Sequence, residues 1–157
     1  MPRGKQHHYR TQITWTGAAA GGTRNYATYS RSFRADFKDK PSITGTADSA
    51  FRGDPTLHNP EDMLLVALSA CHMLSYLALA ALEGLEVVAY EDSADGTMVQ
   101  EGRGGRFTEV VLRPRVTVAP GSDLARAAAL HEEAHETCFI ANSVNFPVRH
   151  EAAITGG

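Results

Sequence analysis

Apolar positions along this chain fall into one long block flanked by short alternating runs. The block, Asn59–Gly84 (NPEDMLLVALSACHMLSYLALAALEG), predicts a single helix. Asn59 suits the N-cap, where its side-chain oxygen accepts from a free first-turn N–H. Pro60 then falls at the first helical position, where its missing N–H costs nothing. Glu61 and Asp62 complement the positive end of the helix dipole. Gly84 can adopt the left-handed conformation that ends a helix. Leu64, Leu68, Cys71, Ser75, Ala78 and Leu82 recur at the spacing of one helical face. Leu65, Met73, Leu77 and Leu79 occupy the opposite side, so the helix is apolar nearly all round and predicts burial in the middle of something.

The remaining runs alternate with the period of strands. Tyr9–Thr16 carries Ile13 and Trp15 on one side, and residues 17–22 form a Gly-rich turn. Arg24–Ser30 and Arg31–Phe37 are β-rich, Pro41 breaks the run, and Ser42–Ala47 is a short strand. Phe51–His58 (FRGDPTLH) is a loop leading into the helix. Beyond Gly84, Leu85–Glu91 and Ala94–Gln100 read as strands, continuous through a bend at Asp95 and Gly96. Residues 102–105 form a hairpin turn. Arg106–Ala119 is one long strand with Val110, Leu112, Val116 and Val118 on its buried side. Ser122 caps a second helix, Asp123–Phe139. Asn142–Ile154 closes the chain as a strand that Pro147 places at an edge or bulge. This order, with hairpin connections, predicts an α+β fold of antiparallel sheets around two central helices.

Composition narrows the picture. A chain of 157 residues without repeats or linkers predicts a single domain over 1–157, with residues 1–8 a loose polar tail. The hydrophobic fraction of 43% and charged fraction of 21% are those of a globular protein. A net charge of −3 gives no reason to expect nucleic acid or an anionic membrane as partner. Met63–Leu82 is about long enough to span a bilayer. Its Cys, His, Ser and Tyr residues, its many Ala, and its setting among amphipathic strands argue against that. The N-terminus MPRGKQHHYRTQ lacks the apolar stretch of a secretory signal, so the expected compartment is the reducing cytoplasm. There, the chain's two cysteines are expected to be catalytic, redox-active or metal-binding rather than structural.

Two groups of residues could carry chemistry. His131-Glu132-Glu133-Ala134-His135 matches H-E-x-x-H, with His131 and His135 as zinc ligands, Glu132 as general base and Cys138 as a third ligand. The longer H-E-x-x-H-x-x-G-x-x-H pattern fails, because Cys138 stands where Gly belongs and Ala141 where His belongs. No metal is therefore expected. The second group is Cys71 and Cys138, one on each predicted helix. A thiol in the middle of a buried helix reads equally well as a small core residue. To react it needs a nearby cation that stabilises the thiolate. Arg24, Arg31, Arg34 and Arg52 supply candidates.

At Asn59–Leu77 (NPEDMLLVALSACHMLSYL), with Glu61 ten residues before Cys71, and at His135–Val148 (HETCFIANSVNFPV), the chain resembles the OsmC/Ohr family. This family comprises the osmotically inducible and organic-hydroperoxide-resistance proteins. The FRGD loop, Phe51–Asp54, is similar to its OsmC-like branch, and the resemblance runs from about Tyr9 to Ile154. It implies an intertwined homodimer with the central helices between two sheets and the sites at the subunit interface. It also implies a cysteine-based peroxidase active in oxidative or osmotic stress. Cys71 matches the peroxidatic cysteine, and Cys138 matches the resolving cysteine that closes a disulfide. Glu61 matches a Glu that pairs with an activating Arg, for which Arg52 fits best, with Arg24 and Arg31 as alternatives. The implied substrate is an organic hydroperoxide, the implied reductant a dithiol such as a lipoylated protein, and no cofactor is needed. His72 stands where many members have Phe, and Phe139 where many have Pro. A non-catalytic protein binding small hydrophobic molecules on the same fold, and a zinc hydrolase using His131 and His135, are the competing functions.

Overall fold

The computed structural model describes residues 4–157. Its contacts divide into two compact units, the first ending at Met63 and the second covering Leu64–Gly157.

In the first unit, β1 (Gln12–Trp15), β2 (Phe33–Phe37) and β3 (Lys40–Gly45) form an antiparallel sheet in that order. Arg24–Ser30 is not a strand. The Asn25 side chain accepts from Ala27 N at 2.8 Å and its carbonyl accepts from Thr28 N at 3.1 Å, which turns the chain instead. Pro41 does not break the run but lies inside β3. Pro41 lies at the edge of the sheet, in the part of β3 that faces β2 alone and beside a bulge between Ala35 and Phe37, so a residue without an N–H is tolerated. In the FRGD loop, Gly53 packs so tightly that a Cβ there would lie 1.5 Å from the Ala47 carbonyl oxygen. Asp54 folds back on its own loop, its side chain accepting from Thr56 N at 2.9 Å.

The helix α1 (Pro60–Leu82) has the expected bounds. Asn59 Oδ1 accepts from Asp62 N at 2.8 Å, and Gly84 takes φ 71° just beyond the helix end. Its buried stripe differs from the expected one. Leu68, His72, Tyr76 and Ala80 are buried, whereas Leu82 is 86% exposed. The stripe turned because His72 and Tyr76 find hydrogen-bond partners inside, which removes the penalty for burying polar groups. Among the described residues, α1 is the one helix long and apolar enough to cross a membrane, yet only 22% of its most apolar window is buried within this chain.

The second unit adds β4 (Val87–Asp92), β5 (Asp95–Glu101), β6 (Gly104–Leu112), β7 (Pro114–Val118), α2 (Leu124–Thr137), β8 (Val148–His150) and β9 (Ala153–Gly156). The expected long strand from Arg106 breaks at Arg113, and the expected continuous run from Leu85 breaks after Asp92. The two breaks face one another, because Arg113 N donates to Asp92 Oδ1 at 2.6 Å. As a result β5-β6-β8 and β4-β7-β9 form separate sheets. The expected final strand, Asn142–Ile154, is instead a 3-10 turn (Ala141–Ser143) followed by β8 and β9. β8 runs parallel to β6 and β9 parallel to β7, so these sheets are mixed rather than purely antiparallel. The return crossing through α2 allows that, since a parallel pairing needs a long connection. Val110, Leu112, Val116 and Val118 are all buried as expected. Helix α2 is capped by Asp123, whose side chain accepts from Arg126 N at 3.0 Å, rather than by Ser122.

Two apolar clusters fill this unit. One joins Tyr76, Ala80, Val116, Val118, Ala127, Leu130 and Ala134, and the other joins Leu68, Val110, Leu112 and Val148. His72, one turn from Leu68 and one from Tyr76, lies on the stripe where they meet.

Candidate functional site

Helices α1 and α2 face each other in opposite directions through a ladder of polar rungs. Arg126 Nε donates to Glu83 Oε2 at 2.8 Å. Tyr76 Oη donates to the Ala127 carbonyl at 2.8 Å, and His72 Nε2 lies 3.0 Å from His131 Nδ1. Beyond the last of these rungs the ladder reaches the two cysteines. Both are free thiols, Cys71 half-buried and Cys138 1% exposed, and Cys71 lies near enough to Cys138 to disfavour its thiolate. Cys138 comes within reach because it caps α2, leaving the helix with φ −71° and ψ 112°.

The Cys138 thiol is pushed up to about 11. Burial is the main cause, since it disfavours the anion, and the nearby Cys71 thiol adds to it. Two backbone amides oppose the shift. Ala141 N donates to Cys138 Sγ at 3.5 Å, and Ile140 also supplies a backbone hydrogen bond. The start of the following 3-10 turn is therefore aimed at this sulfur.

Four imidazoles gather at the last rung, two forming it and two beside it. The rings of His72 and His131 are nearly coplanar, their planes inclined by 5° and their centroids 5.3 Å apart. His150 lies 5.7 Å from His72 and 5.9 Å from His131, and His135 lies 6.2 Å from His150. Tyr76 stacks on His131 at 4.1 Å. Burial, reinforced by the neighbouring histidines, holds His72 down at about 4 and His131 at about 3. His131 Nε2 is buried without a hydrogen-bond partner. The H-E-x-x-H stretch thus has a different use from the zinc reading. His131 pairs with His72, and Glu132 accepts from His150 Nε2 at 3.1 Å. Among the described residues, no group of three or more His, Cys, Asp or Glu side chains is arranged to hold a metal ion. His150 and Tyr76 drew no functional notice in the sequence. The signal available was the one-turn spacing of His72 and Tyr76 on a helix otherwise apolar.

The other candidates belong to the first unit. Arg52 ends a 3-10 turn in the left-handed region, φ 65°, with its guanidinium 5.9 Å from the Tyr26 ring. Glu61 Oε2 is buried without a hydrogen-bond partner, and Arg52 and Glu61 form no ion pair here. Arg31 is held by the carbonyls of Tyr29 and Tyr26, at 2.6 and 2.5 Å, with its guanidinium 3.6 Å over the Tyr29 ring. Arg34 pairs with Asp36 at 3.0 Å, and Arg24 is exposed. An open apolar pocket of about 450 Å³ is lined by Ile13, Trp15, Tyr29, Arg31, Phe33 and Pro60.

Comparison with known proteins places this arrangement. YmaD, an uncharacterized protein of Bacillus subtilis (strain 168), is 26% identical over 104 residues, which cover 63% of this chain and 69% of that protein. A solved OsmC-like protein of unknown function from Vibrio cholerae O1 biovar eltor is 32% identical. It superposes with a TM-score of 0.85 over 94% of this chain and 100% of that one. An organic hydroperoxide resistance protein OsmC from Legionella pneumophila, described as a predicted redox protein, shares the fold at 16% identity and TM-score 0.67, over 96% of this chain and 99% of that one. Residues 53–152, which include both cysteines, match the model of the family described as OsmC-like protein, and the chain belongs to that family.

Proposed function

We propose that this protein is a thiol-dependent peroxidase that reduces organic hydroperoxides. The observation that carries the reading is the proximity of Cys71 to Cys138, two cysteines far apart in sequence, with Cys71 the more open to solvent. The Cys71 thiolate attacks the outer peroxide oxygen; the O–O bond breaks, releasing the alcohol and leaving a sulfenic acid. Cys138 then attacks that sulfur, its thiol proton leaves with the hydroxyl as water, and a disulfide forms. The amides of Ile140 and Ala141 stabilise negative charge on Cys138 as its proton leaves. A dithiol, such as a lipoylated protein, restores both thiols by exchange.

Glu61 and an Arg, with Arg52 first and Arg24 or Arg31 next, serve as the activating pair. The unpartnered Glu61 oxygen supports this role, because a buried carboxylate calls for a cationic partner. The working form is a homodimer in the cytoplasm. Its support is α1, where Val66 and Leu74 remain 65% and 61% exposed on a helix that one chain leaves mostly uncovered. An apolar site favours an alkyl peroxide over hydrogen peroxide, since an alkyl tail gains by leaving water. The apolar pocket beside Trp15 would suit a non-catalytic protein that binds small hydrophobic molecules. Consumption of cumene hydroperoxide and hydrogen peroxide with several dithiols separates the two readings. Turnover that prefers the organic peroxide supports the enzyme, and binding without turnover refutes it.

A further inference from the structure

We propose that His72 and His131 are positioning residues of the thiol pair: the hydrogen bond between their rings clamps α1 to α2 and keeps Cys71 opposed to Cys138. The proposal rests on the reading of Cys71 and Cys138 as an exchange pair. The backbones of the two helices make few close approaches, so long side chains have to span the gap. The rung nearest the cysteines is the His72–His131 bond at 3.0 Å, and His72 adjoins Cys71 in sequence. The Tyr76–Ala127 rung and the Arg126–Glu83 pair lie farther along the helices. Without the histidine rung, nothing polar among the described residues ties α1 to α2 between Tyr76 and the sulfurs.

The clamp has a defined protonation state. A single N–H lies between the two ring nitrogens, donated by either ring. One further proton leaves an N–H···N bond but creates a buried cation. Two further protons set N–H against N–H. The groups around the rings make either charge costly. Helix α2 brings His135 and Glu132, and β8 brings His150, on which Glu132 is already engaged. Helix α1 brings Tyr76 and Cys71. The β4 end brings Tyr90 and Asp92, and Asp92 is already bonded by Ser69 Oγ at 2.5 Å and Arg113 N. Asp92, though hydrogen-bonded, remains an anion that favours an imidazolium at His72, but burial and the neighbouring histidines outweigh it, so acid opens the clamp only well below the ordinary histidine value.

The test is the equilibrium of the thiol pair with oxidised glutathione. One protein dithiol and one glutathione disulfide give one protein disulfide and two glutathione thiols. Thiols and protons balance, so with all thiols protonated the constant is independent of pH unless another group is coupled. For wild type it should stay level from pH 7 to about 5 and fall as the pH approaches about 4, where His72 first takes up a proton in the fold, under conditions where circular dichroism shows the folded state. The His72→Leu variant should lower the constant at pH 7 about tenfold or more, as expected when two reacting groups lose their alignment. His72→Gln, whose amide reaches the same place, should restore most of it. A constant still flat at about pH 4 in wild type, or unchanged in His72→Leu, overturns the clamp. If wild type turns over hydroperoxide yet either of those results holds, the clamp fails and the enzyme reading stands. A wild type that forms no internal disulfide overturns both.

Discussion

Lowering the pH from 7 to 5 should destabilise this protein through the His72–His131 pair before its carboxylates respond. In water each ring has its ordinary value of 6.5, whereas in the fold burial holds them at about 4 and about 3. The unfolded chain therefore binds protons below 6.5 that the folded chain refuses. The stability carried by the neutral pair is complete above that pH and is lost as the pH falls from 6.5 toward the folded values. Linkage gives roughly 1.4 kcal/mol per pH unit for each ring, or about 2 kcal/mol per ring between pH 6.5 and 5. Because the rings share a hydrogen bond and do not titrate independently, the pair is expected to cost roughly 2–4 kcal/mol, a large part of a typical folding free energy. Asp36, Asp54 and Glu83, whose carboxyls hydrogen-bonding partners hold low, lose their contributions only below the ordinary carboxylate values and so fall outside this window. Urea unfolding at pH 7.5, 6.5, 5.5 and 5.0 would measure the slope. The double variant His72→Leu/His131→Phe should be flatter across the same range. Equal slopes in wild type and double variant would refute the account of the buried pair.

Three further outcomes follow from the packing and the site. Leu68→Ala removes a fully buried side chain from the cluster with Val110 and Leu112 and should cost about 2–5 kcal/mol in urea unfolding. Gly53→Ala sets a Cβ into the Ala47 carbonyl, so thermal unfolding should occur well below wild type, whereas Gly4→Ala, in open space, should leave it unchanged. Arg52→Ala should slow alkylation of Cys71 far more than it changes stability, and Glu61→Gln should slow it less; if Arg52→Ala has no effect, Arg24 and Arg31 are the next to replace.

What the sequence revealed depended on how local each cause was. The ends of α1 were legible because Asn59, Pro60 and Gly84 act on their own turn. The buried positions of β6 and β7 were legible because the alternation from Val110 to Val118 continues through the break. For the same reason the break was invisible, since it is made by Asp92 binding Arg113 N from another strand. Arg24–Ser30 misled because its aromatic residues have strand propensity, while Asn25 turns the backbone and Tyr26 and Tyr29 hold Arg31. The parallel pairing of β8 and β9 was missed, although the helical crossing before them was in view. At the site, both cysteines stood out as the only ones in the chain. The His72–His131 bond did not, because it joins two helices far apart in sequence, and His72 was noted only as standing where many family members have Phe.

The proximity of the thiols makes one measurement decisive. Wild type, Cys71→Ser and Cys138→Ser should be given an organic hydroperoxide with a dithiol, following peroxide loss and the mass of the protein. Wild type should turn over repeatedly and, with the dithiol withheld, accumulate an internal Cys71–Cys138 disulfide. Cys71→Ser should consume nothing, and Cys138→Ser, with the dithiol withheld, should reduce a single equivalent, stop at the Cys71 sulfenic acid and form no internal disulfide. Peroxide loss that persists in Cys71→Ser, or a wild type that never forms the internal disulfide, would contradict the proposed chemistry.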